Sequence, residues 1–138
     1  MKTYDPSKLS VIVGGFIISG FAEDSLVTVG RREDTFTLTM GADGEGTRSK
    51  TNDKSGDVKI TLMQTSASNA ILTAYAKADE LQNAGVFSLL IKDDSGSSIY
   101  SAEQAWVVKP PEAEFGKAAT TREWSIQTDN LDWNEGGN

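Results

Sequence analysis

The chain has 138 residues, a formal net charge of −7, and neither histidine nor cysteine. These counts predict one domain and exclude disulfide bonds, thiol nucleophiles and zinc held by cysteine. With 20 acidic against 13 basic residues, the charge disfavours nonspecific binding to nucleic acid or to an anionic membrane. The amino terminus lacks the apolar core of a signal peptide, and the longest apolar stretch, 11–18, is too short to span a bilayer. We therefore expect a soluble protein made in the cytoplasm.

Apolar residues that alternate with polar ones begin near the amino terminus and predict antiparallel strands. Alternation runs over 9–13, and Gly14-Gly15 separates it from a second apolar run at 16–18. This pattern predicts a tight hairpin, because glycine supplies the positive φ of such turns. A third strand is predicted over 25–30, and a charged turn follows it at 31–34.

Two further segments show the same period of two. Phe36, Leu38 and Met40 alternate with threonines, which is typical of a half-buried strand. A similar strand is predicted at 58–63, where Lys59 and Thr61 interrupt the apolar residues.

The segment between these strands, 41–57, has four glycines, charges of both signs and no large apolar residue. Its composition predicts a loop without its own core, and a loop of this length is usually functional or disordered. It fails as a phosphate-binding loop because Thr47 stands where lysine is required, and as a calcium loop because the later glutamate is missing. It is either a solvated loop or an arm that pairs with charges on a partner subunit. The residues of this predicted arm are Gly41, Asp43, Glu45, Arg48, Lys50, Asp53, Lys54 and Asp57.

One helix is predicted over 66–85, with Ser66 or Ser68 as its cap and Gly85 at its end. Strands follow over 86–91, 97–108 and 121–132, and Pro110-Pro111 marks a boundary between two of them. The tail at 134–138 is expected to be loose. The sequence thus predicts one domain, 1–138, of mainly antiparallel β structure, as a two-sheet sandwich or barrel with one helix packed on its side.

Catalysis has little support in this sequence. The paired acids Glu33-Asp34 and Asp93-Asp94 both fall at predicted turns, where solvated side chains are the usual interpretation. We predict no enzyme activity, no metal and no cofactor. The three tryptophans could form a carbohydrate platform, but alternating strand positions favour a core role for Trp106 and Trp124, whereas Trp133 could lie at an interface.

Several stretches, taken in their order, resemble the tail tube proteins of contractile-tailed bacteriophages, and this resemblance covers essentially the whole chain. They are Val11-Ile12-Val13-Gly14-Gly15, Ile18-Ser19-Gly20-Phe21-Ala22, Gly41-Ala42-Asp43-Gly44-Glu45, Gln64-Thr65-Ser66-Ala67-Ser68-Asn69, Glu114-Phe115-Gly116-Lys117 and Gly136-Gly137-Asn138.

The resemblance implies a fold similar to the Hcp tube protein of type VI secretion. It implies hexameric rings that stack into the inner tube of a virion tail, assembled in the host cytoplasm. That tube would conduct DNA during ejection, hold the tape measure protein, and contact the sheath, baseplate and tail terminator proteins. In this sequence the predicted arm at 41–57 would contact the neighbouring ring or subunit.

A wetted wall such as a tube lumen would suit the threonine-rich strand faces. With the acids that flank the predicted inner strands, the candidate lumen residues are Glu23, Asp24, Glu33, Asp34, Thr35, Thr37, Thr39, Lys59 and Thr61. An electronegative lumen would let DNA pass without binding it. The alternatives are a secreted Hcp-like tube component and a monomeric β-sandwich binding module; a small hydrolase ranks lowest.

Overall fold

The computed structural model describes residues 1–23 and 26–137, and within these ranges it contains ten strands and one α-helix. Among the described residues, no helix is long and apolar enough to cross a membrane. The elements in chain order are β1 (Leu9–Val13), β2 (Phe16–Ile17), β3 (Val27–Arg31), β4 (Phe36–Met40), β5 (Gly46–Lys50), β6 (Gly56–Met63), α1 (Ser68–Gln82), β7 (Phe87–Asp93), β8 (Ile99–Lys109), β9 (Thr121–Thr128) and β10 (Asp132–Asn134).

Eight strands form one antiparallel sheet in the order β2-β1-β7-β8-β9-β6-β3, with β10 beside β8. The sheet stays open, since β2 and β3 are its two end strands. Strands β4 and β5 form a separate two-stranded sheet. The predicted class, mainly antiparallel β structure with one helix on the side, is therefore confirmed.

One apolar core forms between this sheet and the helix. Val58, Ile60 and Leu62 of β6 are fully buried, as their alternation predicts. The same cluster joins residues of β1, β7 and β9 to Leu72 of the helix. Because both halves of the sheet contribute to one cluster, the body of the protein is a single packing unit.

The amino-terminal hairpin forms where Gly14-Gly15 predicts it. Val13 pairs with Phe16, and the two glycines have φ of 57° and 87°. The third strand is β3, which covers Val27–Arg31, while Ser25 of the predicted strand lies outside the described residues. Gly14 also faces the Tyr75 hydroxyl of the helix, so any side chain at this position would displace that contact.

Helix α1 is shorter than the predicted 66–85, and its end differs from the prediction. The N-cap is Ala67, which makes no side-chain cap hydrogen bond, so neither Ser66 nor Ser68 is the cap. The Ser66 hydroxyl, one residue before the N-cap, accepts a hydrogen bond from the Ser68 amide at 3.2 Å. At the other end, the helix stops at Asn83, which has the left-handed conformation with φ of 54°. The sequence pattern predicts the end at Gly85 instead. Asparagine tolerates this region better than other residues with side chains, so glycine is not required there. Leu81, in the last turn of the helix, does not contribute to the core and is 78% exposed.

We expect Gly85→Ala to destabilise the domain by roughly 1–3 kcal/mol, the usual range for overpacking. A Cβ at this position would overlap the Tyr75 carbonyl oxygen and Asp79, and backbone atoms cannot rotate away. Urea denaturation would measure the loss in the free energy of unfolding. Gly116→Ala is the matched control, because a Cβ there meets no described atom within 4 Å and stability should stay unchanged. Equal stability of both variants would contradict this prediction.

A partly buried hydrogen bond joins the helix to strand β9. The Trp124 indole N–H donates to the Asn69 side-chain oxygen at 2.9 Å, and the Asn69 amide group donates to the Met63 and Ser66 carbonyls. Trp124 is thus a core residue, as predicted. Trp106 is only half-buried and lies outside the core cluster, because its register partner Gln127 is on the outer face of β9.

Two predictions about the middle of the chain are wrong. Strand β4 is not half-buried: all five of its residues are exposed, because β4 pairs only with β5 and not with a strand of the body. The segment 41–57 is not structureless either, since it contains β5 and the first residues of β6. A strand without apolar side chains still forms where its backbone can pair with a neighbour, and composition does not report that pairing.

Candidate assembly surfaces

A two-stranded hairpin projects from the body, and we call residues 36–50 the hairpin arm. Phe36 pairs with Lys50 and Met40 with Gly46, so the two strands are in register over five residues. At the tip, the Gly41 amide donates to the Glu45 carbonyl at 2.7 Å, and Asp43 accepts from the Glu45 amide at 3.1 Å. All of these hydrogen bonds join residues of the arm to one another, so the conformation of the arm does not depend on contacts with the body of the protein.

One face of the hairpin arm carries three apolar residues of β4 beside two of their register partners on β5, the cations Arg48 and Lys50. We call the three apolar residues of this side, Phe36, Leu38 and Met40, the apolar face; they have exposures of 43%, 69% and 58%. The Arg48 guanidinium lies 4.2 Å from the centre of the Phe36 ring. The opposite face carries only hydroxyl side chains, namely Thr37, Thr39, Thr47 and Ser49. Because a contiguous exposed apolar face usually marks an interaction site, this face is a candidate for contact with another chain.

The root of the hairpin arm is well connected to the body. Arg31 donates two hydrogen bonds to the Leu131 carbonyl, at 3.0 and 3.2 Å, and the Leu131 amide donates to the Lys54 carbonyl at 2.8 Å. The Ser55 amide and hydroxyl both donate to the Asp53 carboxylate in the turn before β6. These two hydrogen bonds lower the pKa of Asp53. The arm therefore leaves the body in a defined direction.

The predicted arm residues divide between four places. Gly41, Asp43 and Glu45 form the tip and its edge, while the cations at 48 and 50 lie on β5. Two more residues, 53 and 54, belong to the root, and Asp57 lies on β6, where it forms an ion pair with Arg32 at 3.5 Å. Contact of these residues with another subunit stays a prediction.

Three of the predicted lumen residues come together on the outer side of the sheet. Lys59 and Thr61 project from β6 on the face opposite the core, and Glu23 lies beside them. The Lys59 ammonium forms an exposed ion pair with Glu123 of β9 at 3.7 Å. We call this surface the polar face; it is completed by two threonines and a glutamate that the sequence analysis missed, namely Thr28, Thr121 and Glu123.

The other predicted lumen residues lie elsewhere. Glu33, Asp34 and Thr35 belong to the connection between β3 and β4. Thr37 and Thr39 are on the polar side of the hairpin arm rather than beside Lys59. Asp24 lies outside the described residues. The predicted threonine wall is thus divided between two surfaces, because β4 is not a strand of the body sheet.

A third surface is a groove of about 830 Å³ between α1 and the ends of β8 and β9, which we call the helix groove. Phe115 on its rim is 78% exposed, and the Arg122 guanidinium lies 5.1 Å from the centre of that ring. Arg122 is itself buried and donates to the Thr120 hydroxyl at 2.8 Å and the Thr121 carbonyl at 2.9 Å. The sequence analysis missed this groove, although Pro110-Pro111, which lines it, was recognised as a boundary.

The carboxyl-terminal segment packs along β8. Trp133, still 53% exposed, pairs with Tyr100, and the Ser98 hydroxyl accepts from the Gly136 amide at 3.0 Å. The Tyr100 hydroxyl donates to the Glu135 carboxylate, which raises the pKa of Tyr100 to about 12. Looseness of the last residues stays a prediction.

Of the two pairs of turn acids, Asp93-Asp94 has structural partners. Asp93 is buried and accepts from the Ser95 amide and hydroxyl at 2.9 and 2.6 Å, which closes the turn before β8. Asp94 accepts from the Ser10 hydroxyl at 2.8 Å. Within residues 1–23 and 26–137, no three acidic side chains gather where they could hold a metal ion.

Solved structures with the same fold come from contractile injection machines. A chain of the anti-feeding prophage cap superposes with a TM-score of 0.66 at 9% identity, covering 97% of this chain and 92% of that one. A chain of the sheath–tube complex of an extracellular contractile injection system, PVC, in its extended state gives 0.66 at 11% identity over 96% and 91%. The sheath/tube terminator of the same system gives 0.64 at 11% identity over 98% and 99%. The chain therefore shares its fold with chains of the anti-feeding prophage cap and of the PVC sheath–tube and terminator assemblies.

Sequence comparison narrows this class. Residues 11–136 match the family model of the bacteriophage PhiTE tail tube protein. Structural protein ORF10 of Pseudomonas phage KPP10 is 36% identical over 145 aligned residues, which cover 99% of this chain and 84% of that relative. The chain belongs to the PhiTE tail tube family: it is a structural protein of a phage tail and not an enzyme.

Proposed function

We propose that this protein forms hexameric rings that stack into the inner tail tube and conduct DNA during ejection. The observation that carries the proposal is the family match over 11–136. The open sheet adds a physical reason, because its end strands leave backbone groups unpaired. Closure of a ring between neighbouring copies would satisfy them, as the resemblance to Hcp-like tubes implies.

The proposed lumen wall is the polar face. Its exposed threonines and its Lys59–Glu123 pair are hydrated in the free subunit, so they need no covering partner. Six copies at −7 each would carry a formal charge of −42, which repels the phosphates of a passing duplex. Sheath, tape measure, baseplate and tail terminator proteins are the proposed partners, with assembly in the host cytoplasm. The sheath–tube and terminator assemblies among the solved structures of this fold support the sheath and tail terminator proteins as partners.

Negative-stain microscopy of the purified protein tests the oligomeric proposal. We expect sixfold rings or long tubes with a central channel. A protein that stays monomeric at high concentration would contradict the proposal and favour the binding-module alternative. Mass spectrometry of purified virions distinguishes a virion tube from a secreted one, since only the virion tube is retained in the particle.

Reversing two acids of the polar face should make assembled tubes retain DNA. In the variant Glu23→Lys with Glu123→Lys, each copy gains charge of +4 on this face, and lysines that contact phosphates release counterions. We expect co-sedimentation of short duplex DNA with variant tubes and none with wild-type tubes, weakening as salt rises. Tubes with a matched reversal at Glu80 and Glu103, which lie away from this face, should not bind DNA inside the channel. Tubes of the polar-face variant that still ignore DNA would contradict this lumen assignment.

A further inference from the structure

We propose that the helix groove binds the apolar carboxyl-terminal segment of a partner protein and holds its terminal carboxylate on Arg122. The partner is a different protein from the copies that form the proposed ring. Because the groove lies within one subunit, binding takes place on a free subunit as well as on an assembled one. The proposal goes beyond the tube function and does not require ring formation.

Arg122 is a buried cation without an anionic partner. The residue is only 7% exposed, yet its hydrogen bonds go to neutral oxygens of three residues. These are the Thr120 hydroxyl at 2.8 Å, the Thr121 carbonyl at 2.9 Å and the Glu114 carbonyl at 3.5 Å. Among residues 1–23 and 26–137, no carboxylate forms an ion pair with this guanidinium. Burying a charge is costly unless an opposite charge compensates it, so this arginine indicates an anion that binds from outside the subunit.

The guanidinium can be reached from the helix groove, because Arg122 is one of the residues that line it. Phe115 covers it from one side, with the ring centre 5.1 Å from the guanidinium carbon. That ring is 78% exposed and belongs to the connection between β8 and β9, which forms neither helix nor strand over 110–120. An incoming carboxylate therefore displaces a side chain that buries little in the free subunit.

The charges of the groove favour an anionic ligand at one end. Arg122 lies beside the amino-terminal end of α1, because the Thr120 hydroxyl that accepts from it also donates to Gln64, which precedes the helix. The acids of the groove lie towards the other end of α1, about 15 Å along its axis from the first turn. With three cations against two acids, the lining has a formal charge of +1 on a protein of −7. The cations are Lys77, Lys109 and Arg122, and the acids are Asp79 and Glu80.

The position of Arg122 indicates that a bound chain ends there. The connection between β8 and β9 closes this end of the groove, since the Thr120 amide donates to the Gln64 side chain at 3.0 Å. From this end the helix side of the groove extends to residue 83, over about 21 Å, which is the length of about six extended residues. A carboxyl terminus with apolar residues before it matches the closed cationic end and the apolar lining. The apolar residues of that lining are Val107, Val108, Pro110, Pro111, Phe115 and Trp124.

Binding of a synthetic peptide to the full chain tests this proposal. The probe is a fluorescein-labelled hexapeptide, Gly-Ser-Val-Leu-Val-Leu, with a free terminal carboxylate, and the matched control is the same peptide with a terminal amide. Fluorescence anisotropy should show binding of the free acid and about tenfold weaker binding of the amide, because the amide loses the charge-assisted hydrogen bonds to Arg122. The affinity for the free acid should also fall as the salt concentration rises.

Three substitutions test where the peptide binds. Val108→Asp places a carboxylate on the apolar lining at a residue that is 46% exposed, and should weaken binding of the free acid about tenfold through like-charge repulsion. Val86→Asp is its matched control: Val86 is 49% exposed and is not part of the groove lining, so binding should stay unchanged. Arg122→Gln should bind acid and amide equally weakly, and urea denaturation measures whether this variant keeps its fold.

Each outcome of these experiments has one meaning. A preference for the free acid, together with loss of affinity in Val108→Asp but not in Val86→Asp, supports the proposal even if Arg122→Gln does not fold. Equal binding of acid and amide by the natural chain, or equal effects of the two valine substitutions, would overturn it. Displacement of the peptide by decanoate at equal concentration would assign the groove to a small apolar acid instead. Loss of peptide binding when tubes form would assign the groove to contact between copies, and either result overturns the proposal. Failure to form tubes would contradict the proposed function alone.

Discussion

Leu38→Asp should abolish tube assembly and leave the subunit folded. Leu38 is 69% exposed at the centre of the apolar face of the hairpin arm, so a carboxylate there is fully hydrated in the free subunit. In an interface the same carboxylate would be removed from water, and its register partner Arg48, whose guanidinium lies over the Phe36 ring, would offset only part of that cost. Burying even a neutral polar group in this way costs roughly 1–3 kcal/mol in proteins, and a charge costs more. Because every copy in a tube repeats the contact, the penalty also repeats.

Size-exclusion chromatography and negative-stain microscopy measure the assembly, and circular dichroism with urea denaturation measures the fold. Thr37→Asp is the matched control: it introduces the same charge one residue away, at an equally exposed position on the hydroxyl face of the arm. We expect the control to keep most of its assembly. Normal tubes from Leu38→Asp would contradict an interface role for the apolar face. An equal loss of tube assembly in both variants would contradict the prediction that the apolar face contributes more to assembly than the hydroxyl face.

The amides of the hairpin arm should exchange hydrogen rapidly in the free subunit and slowly in the tube. In the subunit the arm has ladder hydrogen bonds but no buried side chains, so local opening costs little free energy. In the tube, opening would also require release of the apolar face from its partner. A contact worth about 3 kcal/mol would slow exchange by about two orders of magnitude, at 1.4 kcal/mol per factor of ten.

Hydrogen exchange followed by mass spectrometry on peptides covering 36–50 makes this measurement. Peptides from β6 and β9 provide the internal control, because both strands contribute to the buried core and should be protected in both states. Equal, strong protection of the arm in subunit and tube would contradict the prediction. A variant that lacks residues 36–50, with the root rejoined by a short glycine linker, should keep the protection of β6 and β9 and fail to stack.

The sequence alone determined where most strands lie, because their side-chain alternation is a local property. Val58, Ile60 and Leu62 are core residues as predicted, and the glycine pair at 14–15 forms its turn. The resemblance of several short stretches, taken in their order, also pointed to the tail tube family. These features depend on residues that are neighbours in the chain, so reading along the chain was sufficient.

The tertiary structure decided which strands contribute to the core and which form exposed surfaces. Phe36, Leu38 and Met40 have the same alternation as the core strand β6, yet they are exposed, since alternation shows that a strand has two faces and not what covers them. Glu123 joins Lys59 only through the pairing of β6 with β9, across more than sixty residues of chain. The helix groove likewise combines the helix with the ends of two distant strands. Such surfaces arise from strand order, which depends on contacts between remote parts of the chain and is not encoded by local periodicity.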